Sequence, residues 1–267
     1  MTAPGLHHEV TGDLRLRTPV VLLRPIAGTL ALWGRFRELV AGHRPVIACE
    51  ARGIGRSPPA AVPTTTRGMA RDVSDLLEHL RVPSAFVFGL SLGGMVATWL
   101  AIDRADLVRG LVLASTPDHG LALAHAPGQG VRFAVCLVRG AGAREACLTE
   151  RVLSAPFRRT QPERVAAILD EVRRERGSLR SLILHAAAGA THDPRAELHR
   201  VQAPSLCIAG GLDRLVGPSR ARDLARGIPG ASVDVIENTG HDLSLEQPDE
   251  LASRVAAFLL TCERARA

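Results

Sequence analysis

The chain has 267 residues, of which 46% are hydrophobic and 22% charged, so it can form one large domain with a substantial core. The net charge is +6, and all 33 basic residues are arginine because the sequence contains no lysine. The arginines form no dense basic block with interleaved aromatic residues, which argues against a nucleic-acid partner. The absence of lysine also excludes a Schiff-base enzyme and a P-loop nucleotide site.

The cysteines and the N-terminal sequence give little indication of disulfides, metal sites or membrane targeting. The cysteines form no Cys-x-x-Cys pair and are widely spaced: Cys49, Cys136, Cys147, Cys207 and Cys262. Cys49 and Cys207 lie in apolar strand-like runs, as small core residues do, and we expect neither a disulfide framework nor a zinc site. No signal segment and no apolar run near 18 residues is present. We expect a soluble cytoplasmic protein, monomeric or homodimeric, with no cofactor, metal or membrane partner.

Short apolar runs alternate with helical patterns along most of the chain. The weak alternation at 5–12 predicts an edge strand of a hairpin. Fully apolar runs predict buried strands of a parallel sheet, and amphipathic runs predict helices between them. Strands are predicted at 19–23, 46–49, 85–89, 110–114, 205–209 and 232–236, and helices at 32–40, 69–80, 95–103 and 249–260.

The alternation of strand and helix patterns stops between residues 117 and 198, where the patterns are helical throughout. We therefore predict an α/β fold with a mostly parallel central sheet flanked by helices. Its core is formed by residues 1–116 and 199–267, and residues 117–198 form an inserted helical cap over the carboxyl edge of the sheet.

A Gly-Leu-Ser-Leu-Gly sequence at 89–93 lies between a predicted strand and a predicted helix. Glycines on either side let the strand and helix pack closely around a sharp turn that lifts out the serine. The helix N-terminus also points free N–H groups toward whatever the serine oxygen attacks. Ser91 is therefore the candidate nucleophile.

A serine hydroxyl needs a base to take its proton and an acid to orient that base. In an open α/β sheet such groups gather in the loops after the strands. His241 directly follows the last predicted strand, and Asp213 follows the strand before it. The order serine, aspartate, histidine agrees with a known hydrolase arrangement. Two alternatives remain: Asp213 could cap the helix near Pro218, and Asp242 could be the acid instead.

The other nine histidines are expected mainly at the surface. Seven lie on predicted helices or edge loops and are expected to be solvated: His7, His8, His43, His79, His185, His192 and His199. His119 and His125 enter the cap early and could line a pocket, although a surface role is favoured.

These motifs together resemble the α/β-hydrolase fold superfamily, especially small capped bacterial members such as 3-oxoadipate enol-lactonases and esterases. The resemblance covers nearly the whole chain outside the cap. It rests on residues 89–94 (Gly-Leu-Ser-Leu-Gly-Gly), 52–57 (Arg-Gly-Ile-Gly-Arg-Ser), 210–213 (Gly-Gly-Leu-Asp) and 240–241 (Gly-His), followed by Glu246 and Pro248. It implies that Ser91 is the nucleophile, Asp213 the acid and His241 the general base.

The resemblance also implies an oxyanion hole formed by two backbone N–H groups. One belongs to Leu92, and the other lies in the loop after the strand at 19–23. Most of the superfamily has His-Gly there, whereas this chain has Arg24 and Pro25. Proline has no N–H, so the second donor falls on Ile26.

Enol-lactonase-like proteins also lack His-Gly and keep a downstream Gly-Thr and tryptophan, as Gly28, Thr29 and Trp33 do here. Arg24 is then either a surface replacement, the structural interpretation that we favour, or an anion-binding guanidinium near the mouth of the site.

The resemblance implies a cofactor-independent serine hydrolase that cleaves a small-molecule ester or lactone through an acyl-enzyme. The alternatives are a C–C bond or thioester hydrolase, a non-hydrolytic lyase or cyclase, and a ligand-binding protein without activity. Arginines in the cap could favour a carboxylate-bearing substrate, although interspersed acids indicate that most are on solvated helix faces. They include Arg132, Arg139, Arg158, Arg159, Arg173, Arg174 and Arg176.

Overall fold

A computed structural model describes residues 5–59, 64–120, 132, 135–136, 138–174 and 178–264. Its centre is a seven-stranded sheet with the order β1-β3-β2-β4-β5-β6-β7. The strands are β1 (His8–Thr11), β2 (Val20–Leu23), β3 (Val46–Cys49), β4 (Ala85–Leu90), β5 (Val108–Ala114), β6 (Ser205–Gly210) and β7 (Ser232–Ile236). Neighbouring strands are parallel except β1, which pairs antiparallel with β3.

Helices lie between successive strands in the chain and after the last strand. The α-helices are α1 (Gly34–Ala41), α2 (Thr66–His79), α3 (Leu92–Asp103), α4 (Ala143–Val152), α5 (Ala155–Thr160), α6 (Pro162–Arg174), α7 (Leu179–Ala190), α8 (Pro218–Gly227), α9 (Leu243–Glu246) and α10 (Pro248–Arg264). Short 3₁₀ helices lie at Leu30–Trp33 and Leu198–Arg200.

The predicted fold class is confirmed, and so are the limits of β3 and β7. The predicted hairpin at the N-terminus is wrong, although the strand does lie at the edge of the sheet. Because β2 pairs with β3 on one side and β4 on the other, only the outer edge of β3 is open to β1.

Both faces of the sheet are covered, which explains the fully apolar strands. Val21 and Leu23 face the core formed with α2 and α3, whereas Val20 and Leu22 face the core formed with α1 and α10. Successive strand residues point to opposite faces, so a strand covered on both sides has no position for a polar side chain. This packing holds the carboxyl ends of the strands in fixed positions.

The segment between β5 and β6 contains helices α4 to α7, and α6 has no fully buried residue. Its helical character agrees with the sequence pattern, whereas its function as a cap stays a prediction. Within the described ranges, none of the helices has the length and apolar character needed to span a membrane.

The expectation that no disulfide forms is wrong. Cys136 and Cys147 are bonded, with their Cα atoms 5.5 Å apart, and the bond ties α4 to the chain before it. Spacing alone could not reveal this pairing, because it depends on how the chain folds back. Disulfides are uncommon in the reducing cytosol, and the cytoplasmic location stays a prediction. Cys49 and Cys207 are buried and free as predicted, and burial raises the pKa of each thiol to about 12.

Candidate active site

Ser91 occupies a strained turn between β4 and α3. Its backbone angles are φ 55° and ψ −115°, in a region that side-chain-bearing residues rarely adopt. Its N–H donates to the Ala114 carbonyl on β5 at 2.8 Å, and its carbonyl accepts from the Met95 N–H at 3.0 Å. The neighbouring strand and the following helix therefore hold the serine in place.

The glycines that flank Ser91 are required by close backbone contacts. A Cβ at Gly89 would lie 2.4 Å from the Gly93 carbonyl oxygen, and one at Gly93 would lie 2.1 Å from that of Leu23. Neither neighbour is the end of a flexible side chain, so the backbone itself would have to move. The predicted need for glycine at both positions is confirmed.

His241 and Asp213 form a buried pair in the loops after β7 and β6. The His241 Nδ1 donates to Asp213 Oδ2 at 2.8 Å, since a carboxylate can only accept. The other carboxylate oxygen accepts from the N–H groups of Leu215 and Val216 at 2.8 and 2.9 Å. This arrangement fixes the ring and leaves Nε2 as the nitrogen that can exchange a proton.

Burial and pairing act in opposite directions on the titration of these two groups. Burial disfavours both charged forms, but the charge of His241 and the hydrogen bonds to the carboxylate outweigh it and lower the pKa of Asp213. For His241, burial is likewise outweighed by attraction to Asp213 and Asp242, and the pKa is raised above its ordinary 6.5. The pair therefore favours a carboxylate next to a ring that readily accepts a proton.

The Asp213 side chain does not cap helix α8, and Asp242 makes no hydrogen bond with the His241 ring; the role of Asp213 as the acid stays a prediction. Helix α8 begins at Pro218, and the N–H groups bound by the Asp213 carboxylate, those of Leu215 and Val216, lie before it. Asp242 Oδ1 accepts from the N–H of Leu245 in helix α9, and its Oδ2 accepts from Arg24 Nη2 at 2.8 Å.

Arg24 points inward and is not a surface replacement. Its side chain is 3% exposed, and Nη1 donates to Ser244 Oγ at 2.9 Å. The guanidinium carbon lies 4.6 Å from the centre of the Trp33 ring, and a Cβ at Gly28 would lie 2.8 Å from Arg24 Nε. Gly28 thus makes room for the arginine and Trp33 stacks on it, so the favoured surface replacement is wrong and Arg24 is a buried structural residue.

The two candidate oxyanion donors lie on adjoining segments. Leu92 is the first residue of α3, where a helix provides no internal acceptor for its N–H. Next to it, a Cβ at Gly93 would also lie 2.8 Å from the Arg24 carbonyl oxygen, so α3 begins against the loop that continues to Ile26. The assignment of Leu92 and Ile26 as donors stays a prediction.

The structure brings His241 and Asp213 into contact but does not join Ser91 to them by a hydrogen bond. In the part of the chain that the structure describes, the Ser91 hydroxyl has no hydrogen-bond partner, nor does His241 Nε2. Catalytic hydrogen bonds are often long without substrate and shorten when it binds.

The sequence matches the family model of the alpha/beta hydrolase fold over residues 18–248. The chain belongs to the α/β-hydrolase fold family. 3-Oxoadipate enol-lactonase 2 of Acinetobacter baylyi is 26% identical, over 91% of this chain and 89% of its own length. RutD of Variovorax paradoxus, provisionally named a carbamate hydrolase, is 30% identical over 91% of each chain.

Solved structures of α/β hydrolases agree with this membership. Est816, described as an N-acyl homoserine lactone degrading enzyme, has a TM-score of 0.82 and 28% identity, covering 95% of this chain and 96% of its own. A thermophilic esterase from Thermogutta terrifontis has a TM-score of 0.80 and 26% identity, covering 96% and 93%. The protein is an enzyme of the α/β-fold hydrolase class.

Three histidines predicted at the surface of this hydrolase are buried instead. His185 Nε2 donates to the Arg52 carbonyl at 2.8 Å, and His192 Nδ1 lies 3.0 Å from the Thr66 hydroxyl. Burial lowers the pKa of His192 to about 3, so this ring stays neutral. His119 is also buried, beside Asp118. Such packing depends on distant residues, whereas His43, His79 and His199 are exposed as predicted; His125 lies outside the described residues.

The sequence did not indicate the contacts that α4 and α5 make with the loop after β7 that carries His241, called here the histidine loop. The Val152 carbonyl accepts from the N–H groups of both His241 and Asp242, at 2.9 and 3.0 Å. The buried Glu246 accepts from the N–H and the hydroxyl of Ser154, each at 2.6 Å. Burial raises the pKa of Glu246, while the bonds from Ser154 act in the opposite direction. The helical segment is thereby attached to the loop that carries the candidate base.

A resident metal ion would need several side chains with suitable donor atoms close together. In the described ranges, no three His, Cys, Asp or Glu residues are grouped so that they could hold a metal ion.

Proposed function

We propose that this α/β hydrolase is a cofactor-independent serine hydrolase that cleaves a small-molecule ester or lactone through an acyl-enzyme. The observation that carries the proposal is the buried Asp213–His241 hydrogen bond, which orients the imidazole, in a chain that presents Ser91 at a strained strand-to-helix turn. The named activities of the enol-lactonase and lactone-degrading relatives support an ester or lactone as substrate.

In the proposed mechanism, His241 Nε2 takes the Ser91 proton while Oγ attacks the acyl carbonyl carbon. The N–H groups of Leu92 and Ile26 stabilise the resulting oxyanion. As the bond between carbonyl carbon and leaving oxygen breaks, His241 gives its proton to that oxygen. His241 then removes a proton from water, whose oxygen attacks the carbonyl carbon of the acyl-enzyme. As the bond from that carbon to Ser91 Oγ breaks, His241 returns the proton to Oγ and the acid is released. Asp213 keeps Nδ1 protonated throughout and stabilises the charged ring.

The test is turnover of short-chain p-nitrophenyl esters and small lactones, together with labelling by a fluorophosphonate. We expect labelling of the wild type at Ser91, and Ser91→Ala to lower kcat by about 10⁴-fold or more and to remove the label. Ser253→Ala, an exposed serine on α10, is the matched control and should change neither.

A folded wild type that neither turns over these substrates nor takes the label would contradict the proposal and favour a lyase, cyclase or binding protein. Labelling without ester or lactone turnover would keep the nucleophile and point to thioester or C–C bond cleavage instead.

A further inference from the structure

A polar cavity of about 280 Å³ lies between the helical segment and the loops that carry Asp213 and His241. Its walls come from the end of α4, the start of α5, and the loops after β6 and β7. His241 itself forms part of the wall. The cavity therefore lies directly beside the candidate base.

Arginine dominates the charge of this cavity. Arg151, Arg158, Arg159 and Arg214 line it, together with a single carboxylate, the exposed Glu150. Among the described residues, none of the four arginines forms an ion pair with a carboxylate. By contrast, Arg173 and Arg174 on α6 pair with Asp170 and Glu171.

Two of these arginines also have buried N–H groups without a hydrogen-bond acceptor in the described part of the chain. The Nε atoms of Arg151 and Arg158 are buried, and neither finds a hydrogen-bond partner among the described residues. Buried donors are normally paired, and a guanidinium is well suited to a carboxylate because it donates two parallel hydrogen bonds. Arg151 and Arg158 are half-buried, and Arg159 and Arg214 are exposed. Four cations from three separate segments thus line one cavity with a single carboxylate, which favours an anionic ligand.

The position of the cavity relative to His241 indicates which part of the substrate enters it. On the proposed function, the leaving oxygen takes its proton from His241 Nε2 and must lie within hydrogen-bond distance of that atom. The remainder of the leaving group therefore starts beside the ring.

We propose that this cavity binds a carboxylate on the leaving-group side of the substrate, so that the enzyme acts on esters whose alcohol or phenol carries a negative charge. This inference rests on the proposed function, whose substrate class it narrows. Arg158 on α5 and Arg214 in the loop after β6 hold the carboxylate, and Arg151 and Arg159 add to the positive potential.

The test compares 4-acetoxybenzoate with its methyl ester, which has the same acetyl group and a neutral leaving group. The ratio of the two kcat/KM values is the readout, because it cancels effects on catalysis common to both. We expect the ratio to fall about tenfold in Arg158→Gln and in Arg214→Gln, in line with the loss of one charge-assisted contact. Arg222→Gln, an exposed arginine on α8 away from the cavity, makes the same change of charge and should leave the ratio unchanged.

An unchanged ratio in both cavity variants overturns the proposal. A second pair places the carboxylate on the acyl side: p-nitrophenyl hemisuccinate and p-nitrophenyl butyrate. If the cavity arginines affect the ratio for this pair and not for the first, the leaving-group assignment is wrong.

A binding measurement separates this inference from the proposed hydrolase activity. By calorimetry, Ser91→Ala should bind 4-hydroxybenzoate more tightly than its methyl ester, and addition of Arg158→Gln should remove the difference. Absence of that difference in Ser91→Ala refutes the carboxylate site even if neutral esters are hydrolysed. Its presence without any ester turnover supports the carboxylate site and refutes the proposed hydrolysis.

Discussion

The turn at Ser91 and the helical segment between β5 and β6 are built on opposite principles. Around Ser91, backbone touches backbone so closely that neither flanking glycine can carry a side chain. In the segment, α6 has no fully buried residue, and Leu179 and Ile183 on α7 are about half exposed, at 45% and 51%. The proposed chemistry therefore depends on backbone packing around Ser91 that tolerates little change. The exposed side chains of the helical segment, which is proposed to surround the substrate, can vary at smaller cost.

The largest expected effect comes from the acid of the candidate triad. Asp213→Asn keeps an oxygen for the N–H groups of Leu215 and Val216 but offers an NH₂ group to His241 Nδ1, which imposes the wrong tautomer. We expect kcat for p-nitrophenyl acetate to fall about 10³- to 10⁴-fold with little loss of stability.

Asp242→Asn is the matched control for that change, because Asp242 contacts Arg24 and not the His241 ring. It should lower kcat less than tenfold, measured at the optimal pH of each variant. Equal losses in the two variants would contradict the assignment of Asp213.

The contrast between the two regions can be tested by adding one methyl group to each. In Gly93→Ala the new Cβ meets the Leu23 carbonyl oxygen, and we expect the free energy of unfolding to fall by about 3 kcal/mol. In Gly140→Ala, near α4, the Cβ meets nothing within 4 Å, and the change should be under about 0.5 kcal/mol. Urea unfolding measures both, and similar values for the two would remove the contrast.

Reduction of the Cys136–Cys147 disulfide should have a smaller effect than Gly93→Ala. The bond closes a short loop, with a sequence separation of 11, and the chain-entropy estimate gives about 2–3 kcal/mol of stabilisation. We expect urea unfolding to shift by that amount when dithiothreitol is added. A Cys136→Ser/Cys147→Ser variant should be insensitive to the reductant, and a wild type that is equally insensitive would contradict the prediction.

The smallest effect concerns pH. His241 must be neutral to take a proton, and its pKa is raised, so kcat/KM should rise with pH through a midpoint above 6.5. Asp242→Asn removes a charge that raises this pKa and leaves Arg24 uncompensated, so the midpoint should move down by about one unit or less. Arg24→Met leaves Asp242 uncompensated, and the midpoint should move up. Shifts in the same direction, or none, would show that Asp242 and Arg24 do not act on the ring.

The sequence was sufficient to predict the sheet and the pairing of His241 with Asp213. Strands covered on both faces must be apolar throughout, and the turn at Ser91 requires glycines where backbones meet, so both features leave a local pattern in the sequence. The proximity of Asp213 and His241 follows from a general property of α/β sheets, that loops after neighbouring strands meet at one edge.

The rest depended on contacts that leave no local pattern. An arginine looks the same in sequence whether exposed or buried, and the inward turn of Arg24 depends on Asp242, 218 residues away. His185 and His192 are buried by residues from α2 and the loop before it. The sequence places Arg158 and Arg159 in the cap, but that they line one cavity with Arg151 and Arg214 depends on how three separate segments fold together. Arg176 lies outside the described residues.

The double hydrogen bond to the Val152 carbonyl has a consequence for protein engineering. The same short stretch ends α4 and positions the backbone of His241, while the neighbouring Ser154 is tied to Glu246. Helices transplanted from a relative with a different substrate would therefore carry their own junction onto the histidine loop. A chimaera that exchanged residues 155–190 and kept residues 152–154 with their acceptor and donor groups would be the more conservative graft.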